Sequence, residues 1–172
     1  MESEAMHAHV CRHAQAEPNS VSGLDFDRPL TREGRLQARY LAGLMSGALP
    51  NERPRSVLAS PAVRTQQTAQ AIADELGLSI TTLDELLPMC PAGAAIAAIE
   101  RHSSAGPVLL VGHNPTVTAV VSILLHGPSA GVCMPGPTLR TGQMATIEVD
   151  AALTPGACRL VDLHRYEPAL AS

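Results

Sequence analysis

Lysine is absent from this 172-residue chain; all 12 basic residues are arginine. That removes every mechanism built on a lysine, Schiff-base chemistry and the phosphate-binding P-loop included. Aromatic side chains are almost as scarce, with no Trp, two Tyr and one Phe. Few rings are available to stack on bases, and a net charge of −4 with a pI near 5.9 offers little to a polyanion. No nucleic-acid partner is expected. The four cysteines (Cys11, Cys90, Cys133, Cys158) are far apart and form no Cys-x-x-Cys pair, against both structural zinc and a dense disulfide framework. The longest mostly apolar run, Val117 to Leu125, is too short for a bilayer span of about 20 residues. Met1-Glu2-Ser3-Glu4 is acidic with no apolar stretch behind it, unlike a signal peptide. The expectation is a reduced, cytoplasmic protein with no membrane partner.

What is present is aliphatic. Apolar residues make up 45% and charged residues only 16%, enough for one well-buried core and too little charge for a disordered chain. Residues 1–172 read as a single domain, with residues 1–7 expected to fray. Short β-rich runs at Ala8–Cys11, Ser56–Ala59, Ser79–Leu83, Val108–Val111, Met144–Val149 and Arg159–Leu163 alternate with helical patterns. The helices are expected at Arg32–Met45, Pro61–Leu76, Gly93–Arg101 and Pro115–Leu125. Strands alternating with helices predict a three-layer α/β/α sandwich on a mostly parallel sheet of about six strands. The last two strands lack a helix between them, which predicts an antiparallel pair at that edge.

In open α/β sheets, ligands gather at the carboxyl ends of the strands. Three strand ends here carry related chemistry: Arg12-His13-Ala14 after the first, Ser60-Pro61 with Arg64 after the second, and His113-Asn114-Pro115 after the fourth. Ser60 and Asn114 read as helix caps, each followed by proline at the first helical position. Two arginines, two histidines and two helix starts at one edge suit an anion with several oxygens, and phosphate fits best.

These blocks resemble the histidine phosphatase superfamily, the phosphoglycerate-mutase-like group. Arg12-His13-Ala14 is similar to its Arg-His-Gly signature, with alanine in place of the glycine. Arg12 to Pro18, then Asp27-Arg28-Pro29-Leu30-Thr31 and Gly34, resemble its SixA-type phosphohistidine phosphatase branch, as do Ser60 to Ala69 and Gly112-His113-Asn114-Pro115. The resemblance runs from about Val10 to Leu125, with the blocks in family order. It implies His13 as a nucleophile that becomes phosphorylated, and Arg12, Arg64 and His113 as catalytic groups binding the phosphoryl oxygens. It implies Glu85 as the proton donor in preference to the adjacent Asp84, and Asn19 as a further phosphate contact. Asp27 reads as an anchor for the Arg28-Pro29-Leu30 loop. Flanking guanidinium groups are expected to keep His13 neutral, as a nucleophile must be.

Two other motifs compete. His7, His9, Cys11 and His13 alternate and share one strand face, and a His-x-His at the end of a first strand can open a metal site. The chain lacks a convincing downstream set of Asp and His ligands, so no metal or other cofactor is expected. Gly127-Pro128-Ser129-Ala130-Gly131 formally matches a nucleophile-elbow pattern but follows a helix, where no strand leads into it. The resulting expectation is a metal-independent phosphatase with a phosphohistidine intermediate, acting on a phosphorylated protein. A small phosphate ester is the alternative substrate, and a non-catalytic phosphate-recognising module is the alternative of a different class.

Overall fold

A computed structural model describes residues 6–150 and 152–168. Six strands form one sheet: β1 (Met6–Arg12), β2 (Ser56–Ala59), β3 (Ile80–Thr82), β4 (Val108–Gly112), β5 (Gln143–Val149) and β6 (Arg159–Arg165). Their order is β3-β2-β4-β1-β5-β6. The first four strands pair in parallel, while β5 runs antiparallel to both β1 and β6. The expected antiparallel edge is present.

The helices are α1 (Arg32–Gly47), α2 (Val63–Leu76), α3 (Ala92–His102), α4 (Thr116–His126) and the one-turn α5 (Ala130–Cys133). Side chains alternate across β1, so its two faces serve two cores. Ala8 and Val10 pack with Ala95, Ala98 and Ile99 of α3 and with Val117, Val120, Val121 and Leu124 of α4. Cys11 faces the other way, onto Leu41 and Met45 of α1 and Ala69, Ile72 and Ala73 of α2. The α4 stripe has no exposure, and each such side chain contributes roughly 1.5–3 kcal/mol by leaving water. Among the described residues no helix is long and apolar enough to cross a membrane.

Several expectations need correction. Met6 and His7 lie inside β1, paired with Val149 and Glu148, because β5 is long enough to order them; residues 1–5 of the expected frayed terminus lie outside the described residues. β3 is shorter than expected, since the Leu83 N–H still reaches the Ala59 carbonyl at 3.0 Å before the chain turns at Asp84–Leu86. Neither supposed cap works as one. α2 starts after an extended Ala62, and the Ser60 hydroxyl is directed to His113 instead. In α4 the N-cap is Pro115, while the Asn114 amide donates to the Leu139 carbonyl at 2.8 Å and its oxygen accepts from Thr118 at 2.8 Å. The Gly127–Gly131 stretch contains the start of α5, preceded by α4 and not by a strand.

Candidate active site

Register brings the two site histidines together. β1 pairs Arg12 with Gly112 of β4, and the ladder continues one step as the His13 N–H donates to the Gly112 carbonyl at 3.0 Å. His13 and His113 therefore leave neighbouring strands side by side, with ring centroids 5.2 Å apart and planes tilted by 60°. On the other side of β4, the Ser60 N–H donates to the Val111 carbonyl at 3.3 Å. That contact sets the Ser60 hydroxyl 2.9 Å from His113 Nε2. Both rings are buried, at 7% and 3% exposure.

His13 Nδ1 lies 2.8 Å from the Ala14 carbonyl. A carbonyl only accepts, so Nδ1 carries the proton and Nε2 keeps its lone pair. Burial, more than any neighbour, pushes the His13 pKa down to about 4; the Ala14 contact opposes this, and Arg64, Arg12 and Arg28 add to it. The expected guanidinium effect is thus real but secondary, because removing the cation from water costs more than its repulsion from the three arginines. His113 is held at about 3, again mainly by burial and then by His13 and Arg64. Both rings are neutral near pH 7, so His113 offers a hydrogen bond and not a charge.

The positive charge comes from arginine. Arg12 Nη1 donates to the Leu139 carbonyl at 3.2 Å. Arg64 donates from Nη1 to the Asp25 carbonyl at 2.7 Å and from Nη2 to the Asp25 carboxylate at 3.1 Å. The Nε of each arginine is buried without a hydrogen-bond partner among the described residues. Buried N–H groups of this kind are costly unless something accepts from them, and a multi-oxygen anion would. A neutral imidazole with a free Nε2, two arginines with N–H groups to offer and a second buried histidine form a cradle suited to a phosphoryl group.

Residues 8–90 match the model of the histidine phosphatase superfamily (branch 1). Over this stretch the chain is similar to that superfamily. It is similar over nearly its whole length to solved structures of SixA proteins. One, from Agrobacterium tumefaciens and designated a phosphohistidine phosphatase, is 27% identical; the match covers 94% of this chain and 99% of that one, with a TM-score of 0.74. A counterpart from Nakamurella multipartitia is 26% identical over 94% and 96% of the two chains, with a TM-score of 0.77. The protein histidine phosphatase SixA complexed with tungstate is likewise 26% identical over 93% and 97%, at 0.77. No curated protein matches the sequence. This is a phosphatase built on the histidine phosphatase fold.

The remaining sequence candidates in this phosphatase fall in different places. Ala14, where the family signature has glycine, is fully buried against Leu30 and Ala38, and its N–H donates to Thr68 at 3.0 Å. Its methyl therefore fills a small core. Asn19 lies exposed in the segment after Glu17, with no side-chain hydrogen bond among the described residues. Glu85 is not joined to His13 by any contact among the described residues. Its carboxylate pairs with Arg101 in the last turn of α3, because the Asp84–Leu86 turn buries Leu86 and presents Glu85 to that helix. Asp27 accepts from Ser22 at 2.6 Å, bracing its own loop.

Sequence reasoning missed three contributors. Asp25 is the carboxylate that meets Arg64, and its place three residues before Arg28 was the available signal. Ser60 serves His113, and the Leu139 carbonyl holds both Arg12 and Asn114; nothing in the sequence marks Leu139. Of the His-x-His pair, His9 is bound by Thr146 at 3.0 Å and the Glu52 carbonyl at 2.7 Å. Among the described residues no three His, Cys, Asp or Glu side chains come together as a cation site.

Proposed function

We propose that this phosphatase acts on protein phosphohistidine, without a metal, through a phosphohistidine formed on Nε2 of His13. In the first step Nε2 attacks phosphorus while the bond from phosphorus to the substrate's imidazole nitrogen breaks, and the departing ring keeps its proton. In the second, water attacks the His13 phosphoryl group, releasing phosphate and restoring the neutral imidazole. Arg12 and Arg64 stabilise charge on the phosphoryl oxygens, with His113 as a hydrogen-bonding partner.

The observation behind the substrate class is the state of the carboxylates. Glu85 is tied to Arg101. Burial is the largest single influence on Asp25 and raises its pKa, but the charges and hydrogen bonds of Arg64 and Arg28 together outweigh it and favour the ionised form. An alkyl alcohol, with acidity near that of water at roughly 15.7, needs a proton donor to depart. An imidazole, with a conjugate-acid pKa of roughly 6.5, does not. The chain between β3 and β4 forms only the Asp84–Leu86 turn, α3 and a short turn, with no inserted lid to exclude a folded substrate. Val21, Leu24 and Phe26 beside Asp25 and Met89 beside Cys90 are exposed apolar side chains suited to a protein partner. Similarity to the SixA structures points the same way.

The test compares a phosphohistidine-bearing protein with a panel of alkyl phosphates, with chelator present throughout. The expected result is turnover in chelator and kcat/KM at least tenfold higher on phosphohistidine. A preference for an alkyl phosphate would move the enzyme to the small phosphate esters. Activity restored only by a divalent cation would overturn metal independence.

A further inference from the structure

Among the described residues, Asp25 alone occupies both terminal nitrogens of Arg64. Its backbone carbonyl accepts from Nη1 at 2.7 Å and its Oδ2 from Nη2 at 3.1 Å, while its Oδ1 accepts from Arg28 Nε at 2.8 Å. Arg28 is anchored in turn on the Glu17 carbonyl at 2.9 Å. Ser20 and Ser22 brace the same turn through the Leu24 carbonyl at 2.7 Å and the Asp27 carboxylate at 2.6 Å. Guanidinium presents its N–H groups along flat edges. With the Nη1–Nη2 edge on Asp25, the edge left to a ligand is Nε with the second proton of Nη2. The Arg64 side chain is only 5% exposed, and its Nε is buried and unpartnered among the described residues. The Asp25 side chain is 68% exposed, and a pair so open to water adds little stability. What the contact does fix is direction.

We propose that Asp25 is a positioning residue: it holds the terminal edge of Arg64 so that the Nε edge meets the transferred phosphoryl group beside His13. The inference rests on reading Arg64 as a phosphoryl-binding arginine. It excludes the opposite role, in which the Asp25 carboxylate masks Arg64 and competes with the phosphoryl group for the same N–H groups. Positioning and masking predict opposite signs when the carboxylate is removed.

The experiment measures p-nitrophenyl phosphate hydrolysis, whose leaving group needs no proton, together with inhibition by vanadate. The proteins are the parent, Asp25→Ala, Asp25→Asn, Arg64→Ala and the Asp25→Ala/Arg64→Ala double variant. Misdirecting one charged donor should lower kcat/KM by roughly ten- to a hundredfold in Asp25→Ala and weaken vanadate inhibition in parallel. Asp25→Asn, which keeps an acceptor for Nη2, should recover most of the loss. In the Arg64→Ala background, Asp25→Ala should cost less than about twofold more, because the two residues act as one unit. Tighter vanadate inhibition in Asp25→Ala would establish masking and overturn the proposal, and so would losses that multiply in the double variant. Should Arg64→Ala leave turnover intact, the phosphoryl-binding reading itself fails. A loss in Arg64→Ala with an additive Asp25 effect removes only the positioning role.

Discussion

His13 combines two properties that an isolated histidine lacks. Its tautomer is set by the Ala14 carbonyl 2.8 Å away, and burial holds its pKa at about 4, so Nε2 is available as a nucleophile across the physiological range. Protonation as the pH falls through about 4 would remove that lone pair. NMR titration of the His13 ring in the free protein should therefore inflect near 4 and not near the unperturbed value of about 6.5. Its closeness to His113 makes the transition belong partly to the pair. Quenching a single turnover with labelled substrate should trap acid-labile, base-stable label on the peptide containing His13. His13→Ala should abolish turnover while phosphate still binds. Label on another peptide would reassign the nucleophile.

The segment that follows β1 is shaped by its contacts with α1 and with the chain before β5. Gly34, in the first turn of α1, sits against the Gln15 backbone so closely that an added Cβ would lie 2.0 Å from the Gln15 carbonyl oxygen. No side-chain adjustment relieves a collision with backbone, so helix and segment must separate. Gly34→Ala is expected to destabilise the fold by roughly 1–3 kcal/mol and, because Gln15 is two residues from His13, to lower kcat as well. Urea denaturation beside the rate assay checks both; an unchanged midpoint with full activity would mean that the α1 contact is dispensable. On the other side, the Gly142 N–H donates to the carbonyls of Arg12 and His13, at 3.2 and 3.0 Å. The chain leading into β5 thus supports the strand end that carries the site.

Three buried histidines, His9, His13 and His113, have pKa values of about 4, 4 and 3, with burial the leading cause in each. In the unfolded chain each returns to about 6.5. Between those limits the unfolded state binds more protons than the folded one, so stability rises with pH across the window. The contribution is complete above about 6.5 and lost as the pH falls toward the folded values. Calorimetry from pH 7 to 4 should show Tm falling steadily, beginning well above the usual carboxylate range. A Tm constant between pH 7 and 5 would mean that water reaches these rings. The sheet faces and the site share this dependence, because His9 is bound between β1, β5 and the chain after α1, whereas His13 and His113 stand at the sheet's carboxyl edge.

Strand and helix periods, the antiparallel edge, the placing of Arg12, His13 and His113 at strand ends and that of Arg64 in the first turn of the helix after β2 were all legible in the sequence. Those features are written in neighbours a few positions apart: apolar spacing of two or three to four, and chemistry directly after a β-rich run. The strand order β3-β2-β4-β1-β5-β6, which seats His13 beside His113, was decided by long-range pairing. So was the Arg64–Asp25 contact, between residues 39 positions apart, and the turning of Glu85 toward Arg101. The same holds for the low pKa of His13, which the chain's arginines suggested for a secondary reason. Desolvation depends on how much of the fold closes over a ring, and hydrogen-bond partners depend on which segments packing brings within about 3 Å. Neither quantity is a property of local sequence.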